Sequence, residues 1–232
     1  MKIVIAGPFQ SGKSSLVTAL DPNALNVSIK NRAGQNVTVG MDLGKYNLNG
    51  LELSIFGTPG LLRFSAMRRI ILEGCDGILF LFDGVNADKD EGAIQILNEI
   101  KRSSVLSPKK MCPIVYAVNK ADMETCRSIE VVKEQNYFYK QAPFFSISAK
   151  RKENILEPLK ALIEMIKENY HPMIEILKEF EQGDLYSLQE KLNIEDQEKF
   201  IELLNALEIR HIISLDRSSK RYIMNEQAHF FV

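Results

Sequence analysis

Apolar and polar residues follow two different periods along the first 170 positions of the chain. Short, nearly continuous apolar runs predict buried strands, and apolar residues repeating every three or four positions predict helices. The predicted strands are Lys2–Ala6, Val37–Asn47, Leu51–Phe56, Gly77–Phe82, Pro113–Val118 and Pro143–Ile147. The predicted helices are Lys13–Leu20, Gly92–Ile100, Ile129–Tyr139 and Ile155–Ile166. This alternation predicts an α/β domain with a mostly parallel six-stranded sheet, helices on both faces and one antiparallel hairpin at an edge.

The pattern changes after His171-Pro172. Three helices are predicted at Met173–Phe180, Leu185–Leu192 and Glu195–Leu207, and a two-stranded wing at Ile209–Leu215 and Lys220–Met224. This order is typical of a winged helix, and a helical extension packed on the first domain is the alternative. We therefore expect one domain over residues 1–168 and a smaller, winged-helix-like domain over residues 171–232.

Charge argues against a nucleic-acid partner. The 232 residues carry a net charge of −1, and residues 171–232 contain seven Lys/Arg against twelve Asp/Glu. The third tail helix, which would enter a DNA groove, is mostly acidic, so phosphates would repel it. We therefore expect the tail to be a protein-interaction module or an intramolecular clamp, with DNA binding disfavoured.

Other features of composition favour a cytoplasmic protein. The three cysteines, Cys75, Cys112 and Cys126, have no metal-ligand spacing, which fits a reducing compartment. No apolar run is long enough to span a bilayer, and neither a Met-Gly start nor a cysteine near the C-terminus is present. We therefore expect no signal peptide, no membrane anchor and a cytoplasmic location, while the oligomeric state is left open.

A glycine-rich segment follows the first predicted strand. Residues 7–14 (GPFQSGKS) fit the pattern G-x-x-x-x-G-K-[ST]. Such a loop turns several backbone N–H groups inward, and the next helix adds the positive end of its dipole, so a phosphate cradle is predicted. Lys13 is expected to reach the β- and γ-phosphates, and the Ser14 hydroxyl to bind Mg²⁺. The other expected contacts are Gly7, Phe9, Gln10, Ser11, Gly12 and Ser15.

Two later segments each follow a predicted strand and carry residues suited to a purine base. They are Asn119-Lys120-Ala121-Asp122 and Ser148-Ala149-Lys150. Together with the cradle, they resemble the NKxD and SAK motifs of the Ras-like small GTPases, which belong to the P-loop NTPases. The resemblance covers residues 1 to about 168 and implies GTP and GDP as ligands, with Mg²⁺ as cofactor.

The residue types in these motifs suit guanine. A carboxylate at Asp122 can accept both the N1–H and the 2-amino hydrogens of guanine, a pair of bonds that adenine cannot form. Asn119 would hold the other edge of the purine and tie down the cradle, while the apolar stem of Lys120 would cover the ring. The Ala149 N–H would donate to the guanine oxygen, with Ser148 and Lys150 completing the motif.

The resemblance also implies two switch residues. Thr38 matches the threonine that caps Mg²⁺ and senses the γ-phosphate, with an ordinary strand residue as the alternative. The Gly60 N–H would bind the γ-phosphate, so both residues are expected to close on GTP and relax after phosphate loss. Residues 37–44 (VTVGMDLG) and 57–60 (GTPG) resemble a bacterial or archaeal subset similar to the gliding-motility protein MglA.

The sequence departs from the family at three positions, and two of them, Leu61 and Phe9, predict very slow intrinsic hydrolysis, while Gly57 weakens support for the metal. Gly57 stands where an acidic residue usually holds a Mg²⁺-bound water. Leu61 stands where a glutamine commonly orients the attacking water. Phe9 is bulky where an incoming arginine finger often needs glycine. Groups that could compensate at the γ-phosphate are Gln10, Arg63 and Arg68.

We therefore expect a GTP-controlled switch that acts on an unidentified effector or regulator protein. A GTPase activated by a partner that supplies the missing catalytic group is one alternative. A nucleotide-responsive DNA-binding regulator that uses the tail is another. An ATPase or kinase is disfavoured because residues 119–122 suit guanine.

Overall fold

A mostly parallel sheet of seven strands forms the centre of the first part of the chain. The computed structural model describes residues 1–30, 36–102, 112–138, 141–179, 182–209 and 212–225, and it divides into two units, Met1–Glu164 and Met165–Val232. The strand order is β2-β3-β4-β1-β5-β6-β7. The strands are β1 (Lys2–Ala6), β2 (Leu25–Lys30), β3 (Asn36–Leu48), β4 (Leu51–Gly57), β5 (Gly77–Asp83), β6 (Ile114–Asn119) and β7 (Phe144–Ile147).

The α/β class and the mostly parallel sheet are confirmed, and the sheet has seven strands rather than the predicted six. The additional strand, β2, pairs antiparallel with β3 at the sheet edge. Its Leu25 and Val27 side chains are 65% and 52% exposed. Backbone pairing rather than apolar burial therefore holds this strand, and a search for buried runs misses it.

Helices pack around this sheet. In the first unit they are α1 (Lys13–Leu20), α2 (Ser65–Leu72), α3 (Asp90–Arg102), α4 (Ile129–Gln135) and the beginning of α5 (Glu157–Glu179). Helix α4 ends four positions before the predicted Tyr139, which lies outside the described residues. The cause lies at Tyr137, whose φ of +56° is left-handed and incompatible with a continuing helix.

The topology brings the predicted motifs to one edge. Every residue of β5 is buried, as expected for a central strand covered on both faces. Strands β1, β5, β6 and β7 run parallel, so their carboxyl ends meet at the same edge. Each predicted motif begins at or directly after one of these ends, where open α/β sheets bind their ligands.

Helix α5 runs through Pro172 without a break, so the helix boundary predicted at His171-Pro172 is wrong. A proline inside a helix removes one hydrogen bond and costs about 3 kcal/mol. The apolar stripe continues across it, however, because Ile166, Tyr170, Ile174 and Leu177 are all buried. Burial of this stripe offsets the cost of the proline.

The second unit contains two further helices and a three-stranded antiparallel sheet of order β8-β10-β9. These elements are β8 (Gln182–Asp184), α6 (Leu185–Lys191), α7 (Gln197–Ile209), β9 (Ile213–Asp216) and β10 (Arg221–Met224). The predicted hairpin is present, and β8 adds a strand too short to be recognised from its pattern. Asp184 begins α6 by accepting the backbone N–H of Ser187 at 2.9 Å. In the described part of the chain, no helix combines the length and apolar character needed to cross a membrane.

Candidate nucleotide-binding site

The segment after β1 forms a tight loop whose glycines are required by its backbone. Gly7 and Gly12 have φ values of +143° and +95°, which L-residues with a side chain rarely adopt. A Cβ at Gly7 would meet the Leu81 carbonyl, and one at Gly12 would meet the Asn119 side chain. The loop therefore approaches two neighbouring strands closely before it enters α1.

A cleft of about 880 Å³ opens beside this loop. Its volume lies within the usual range of small-ligand sites. Residues from four predicted segments line it together: Phe9, Gln10, Gly12, Lys13, Ser14 and Ser15 of the cradle, Gly60 of segment 57–60, Lys120 of segment 119–122, and Ala149 and Lys150 of segment 148–150. Asp42, which lies within the segment 37–44 but was given no role there, also lines it. The fold thus assembles the cradle and the purine motifs around one cleft.

Lys13 is buried at the base of the loop. Its Nζ donates to the Pro8 carbonyl at 2.6 Å and to Ser11 Oγ at 3.4 Å. Burial lowers the pKa of Lys13 to about 7, although the charge of Asp42 opposes this shift. A phosphate beside this ammonium would favour its charged form, so ligand binding and the protonation of Lys13 are coupled.

The purine motifs lock the loop to the far strands of the sheet. Asn119 Nδ2 donates to the Ser11 carbonyl at 2.8 Å, and Asn119 Oδ1 accepts the Ala149 N–H at 3.0 Å. The Ala149 N–H, which we expected to face guanine, therefore binds Asn119 here. Lys120 has a left-handed φ of +76°, and its Nζ lies 2.7 Å from Asp83 Oδ2.

Asp122 is held as an oriented carboxylate. The buried Ser148 donates its hydroxyl to Asp122 Oδ1 at 2.7 Å. This hydrogen bond is the main cause that lowers the pKa of Asp122, so the side chain is ionised at neutral pH. An ionised carboxylate is an acceptor of hydrogen bonds, which is the chemistry that the N1–H and 2-amino groups of guanine require.

Asp42 is a candidate site residue to which the sequence analysis assigned no role, although it lies within the segment 37–44 (VTVGMDLG). It lies on β3 directly opposite Gly57 on β4. Ser14 Oγ donates to Asp42 Oδ2 at 2.6 Å. A Cβ on residue 57 would lie 2.8 Å from Asp42 Oδ2, so the Asp42 carboxylate fills the space that a side chain at position 57 would need.

The Asp42 carboxylate is buried with unused bonding capacity. Asp42 is 1% exposed, and its Oδ1 has no hydrogen-bond partner within the described part of the chain. Burial raises the pKa of Asp42, against the opposing effects of the Ser14 hydrogen bond and the Lys13 charge. An unpartnered buried oxygen beside a serine hydroxyl is suited to a metal ion or its bound water.

Comparison with known proteins agrees with this site. The sequence model of the Ras family matches residues 2–168. The chain belongs to the Ras family. It therefore shares the family's P-loop GTPase fold, in which guanine nucleotides bind at the cradle.

Individual relatives are distant. Ras-related protein Rab-7b of Homo sapiens is 24% identical over 178 residues, covering 75% of this chain and 86% of the relative. GTP-binding protein ypt4 of Schizosaccharomyces pombe is 27% identical over 134 residues, covering 56% of this chain and 54% of the relative. An uncharacterized protein of Methanocaldococcus jannaschii is 27% identical over 133 residues, covering 56% of this chain and 77% of the relative.

The Ras-family resemblance predicts two switch residues, Thr38 and Gly60. The backbone of Thr38 lies in β3 and pairs with Ser28, while the Thr38 side chain lies outside the described part. Gly60 packs directly on the cradle, because a Cβ there would lie 2.6 Å from the Phe9 backbone nitrogen and 2.7 Å from Lys13 Nζ. A glycine is therefore needed at this point of the second switch.

Arg68, one of three catalytic candidates, is committed to other partners. It is 1% exposed and donates to the Pro59, Leu61 and Leu62 carbonyls at 3.2, 2.7 and 3.2 Å. Its Nη2 also pairs with Glu99 Oε2 at 2.6 Å. The guanidinium thus fastens the second-switch loop to α3 and does not line the cleft.

The other two candidates remain at the surface. Gln10 is exposed, lines the cleft and has a left-handed φ of +62°. Arg63 is exposed and stacks its guanidinium 5.0 Å from the centre of the Phe64 ring. Of the three, Gln10 alone borders the cleft.

Proposed function

We propose that this chain is a Mg²⁺-dependent GTP/GDP switch with slow intrinsic hydrolysis that acts on a protein partner. The observation that carries the proposal is that residues of the phosphate cradle and of two guanine-type motifs line the same cleft. The match to the Ras family supports the nucleotide class. GTP would hold Thr38 and Gly60 near the cradle, and phosphate loss would release them.

Mg²⁺ suits the oxygen donors at the phosphate end of the cleft. Mg²⁺ prefers oxygen ligands and keeps several of its waters, and it neutralises charge on the nucleotide phosphates. Ser14 Oγ is the proposed protein ligand, with Thr38 added on the strength of the family resemblance. Asp42 would accept a hydrogen bond from a Mg²⁺-bound water. In most of the family an acidic residue at the position of Gly57 takes this role.

The proposal of slow hydrolysis rests on the residues that follow Gly60 and on Phe9. Leu61 cannot form a side-chain hydrogen bond to an attacking water, and Arg68 is held by Glu99 and three carbonyls. The backbone of Phe9 lies beside Gly60, and Phe9 is bulky at a position where an incoming arginine finger often needs glycine. Gln10 is the cleft-lining group that could contribute.

Single-turnover hydrolysis tests this proposal. Protein loaded with GTP at saturating Mg²⁺ should hydrolyse it more slowly than roughly 3 × 10⁻⁴ s⁻¹, the unassisted rate of an ordinary small GTPase. Leu61→Gln should accelerate the reaction, and Leu62→Gln, at the exposed next position, should not. A wild-type rate at or above the ordinary value would reject the slow-switch proposal.

A GTPase activated by a partner is the second candidate. The bulk of Phe9, at a position where an incoming arginine finger often needs glycine, argues that any activator supplies its group by another route. Hydrolysis measured with and without cell extract separates the two candidates. Acceleration by extract that disappears after protease treatment would favour the activated enzyme.

The second unit is proposed to be a winged-helix-like protein-interaction module. Its order of helices and three-stranded sheet supports the winged-helix interpretation. Arg217, one of the basic residues of the wing, is paired with Glu208 at 2.6 Å, which reduces the charge available to DNA phosphates. Salt-dependent retention on DNA would overturn this assignment.

Two finer assignments belong to the same proposal. Membership in the MglA-like subset is supported by residues 37–44 and 57–60, and by the pairing of Asp42 with Gly57. A cytoplasmic location is supported by the cysteine usage described above. Fractionation of cells that express the full chain tests the location.

A further inference from the structure

Two cysteines face each other at the end of the sheet opposite the cleft. Cys75 lies between α2 and β5, and Cys112 lies just before β6. Their Sγ atoms are 3.2 Å apart, although the residues are 37 positions apart in sequence. All three cysteines of the chain are thiols in this structure. We propose that Cys75 and Cys112 form a reversible disulfide that ties the end of α2 to the beginning of β6.

The backbone around the two sulfurs is fixed by neighbouring strands. Ile78 on β5 donates its N–H to the Pro113 carbonyl at 2.9 Å, and Ile78 pairs with Ile114 in the parallel ladder. A disulfide has an S–S length of about 2.05 Å, so the sulfurs must approach by only about 1.2 Å. Side-chain rotation can supply this movement while the ladder keeps the backbones in place.

The two thiols differ in exposure and in electrostatic surroundings. Cys75 is 7% exposed, whereas Cys112 is half-buried and therefore open to a small oxidant. Lys2 donates to the Glu73 carbonyl at 2.6 Å, which holds its ammonium near Cys75. Burial lowers the pKa of Lys2, and the nearby Cys75 is the largest influence that opposes this shift, followed by Asp76 and Glu73.

A small disulfide such as oxidised glutathione balances the reaction. The Cys112 thiolate attacks one glutathione sulfur, forms a mixed disulfide and releases the first glutathione thiolate. The Cys75 thiolate then attacks Cys112 Sγ and releases the second glutathione. Two protein thiols are oxidised, one glutathione disulfide is reduced, and the two protons pass to the released thiolates. This step needs no nucleotide and is independent of the proposed switch.

Thiol counting on the folded full chain tests the proposal. The protein is incubated with oxidised glutathione, denatured, alkylated and weighed by mass spectrometry. Wild type and the matched control Cys126→Ser should each lose two alkylatable thiols, and reductant should restore them. Cys75→Ser should instead retain glutathione on Cys112, because the thiol that displaces it is missing. Three alkylated cysteines in oxidised wild type would overturn the proposal. So would the loss of two alkylatable thiols from Cys75→Ser without bound glutathione.

A stability measurement on the wild-type protein gives a second test. Closing a loop of this length should raise the Tm of oxidised wild type by roughly 5–15 °C over the reduced protein. The rise should disappear after addition of reductant and should be absent in Cys112→Ser. An oxidised protein that melts at the reduced protein's temperature would contradict a disulfide within the folded chain.

Discussion

Replacing Asp42 with asparagine separates metal support from packing at the cleft. Asn has the size of Asp and can still accept the Ser14 hydroxyl, now 2.6 Å from Asp42 Oδ2. Its NH₂ group, however, would occupy the place of the unpartnered Asp42 Oδ1 and face the hydrogens of a Mg²⁺-bound water. A mismatched buried polar group costs about 1–3 kcal/mol, and loss of a metal's outer partner typically costs 10–100-fold in affinity. We therefore expect Mg²⁺ affinity to fall by roughly 10–100-fold.

Release of a fluorescent GDP analogue over a Mg²⁺ titration measures this change. The Mg²⁺ midpoint of Asp42→Asn should move to higher concentration, while metal-free stability should be equal or higher. The sign follows from the raised pKa of Asp42: burial disfavours its ionised form, so ionised Asp42 destabilises the metal-free fold at neutral pH. A midpoint within twofold of wild type would refute the role of Asp42 in metal support.

Moving the acid to the neighbouring strand provides the matched control. Gly57→Asp alone should destabilise the protein, because its Cβ would lie 2.8 Å from Asp42 Oδ2 and two carboxylates would compete for one space. Asp42→Ala combined with Gly57→Asp removes that conflict and returns a carboxylate to the site. The double variant should recover at least about tenfold of the lost Mg²⁺ affinity. Equal Mg²⁺ midpoints for Asp42→Ala and the double variant would show that the carboxylate is not needed there.

Two further predictions concern buried charges. Arg68→Ala should lower the unfolding free energy, measured by urea titration, by roughly 2–4 kcal/mol, because three carbonyls and Glu99 lose their donor. The control Arg69→Ala, at an exposed position, should change the unfolding free energy by less than about 0.5 kcal/mol. Equal effects of the two variants would contradict the clamp. Burial lowers the pKa of Lys13 from 10.5 to about 7 in the nucleotide-free fold. Between pH 7 and 10.5 the folded protein therefore binds fewer protons than the unfolded chain, so its stability should rise with pH over this range. Nucleotide restores the proton, so GDP affinity should fall by roughly 10–50-fold from pH 7 to 9 by calorimetry, and the always-charged Lys13→Arg should lack this dependence.

The sequence predicts the buried part of the fold well, because parallel strands covered on both faces appear as continuous apolar runs. Strand β5 is the clearest example, since all seven of its residues are buried. The short edge strands β2 and β8 were missed because backbone pairing holds them. The break predicted at Pro172 was wrong because burial of a continuous stripe outweighs the local preference of proline.

The sequence likewise predicts only the part of the candidate site that is contiguous along the chain. The cradle and the guanine-type motifs are contiguous in sequence, so their residue types and spacing could be recognised directly. The relation of Asp42 to Gly57 depends on the register of β3 against β4, which the two-residue turn Asn49-Gly50 sets by pairing Leu48 with Leu51. A search for contiguous motifs misses this relation because the two residues lie on different strands. The burial of Arg68 against Glu99 likewise depends on how α2 packs on α3.

Base selectivity tests the central claim most directly. Displacement of a fluorescent nucleotide with Mg²⁺ present should show GDP binding at least about 100-fold more tightly than ADP, because adenine leaves the Asp122 carboxylate unpaired. Asp122→Asn should lose GDP affinity and gain affinity for xanthosine diphosphate, whose 2-oxo group accepts the new amide N–H. Glu124→Gln, at an exposed position of the same loop, should leave both affinities unchanged. Equal affinity of wild type for GDP and ADP, or an Asp122→Asn variant that binds GDP as wild type does, would contradict guanine recognition at this cleft.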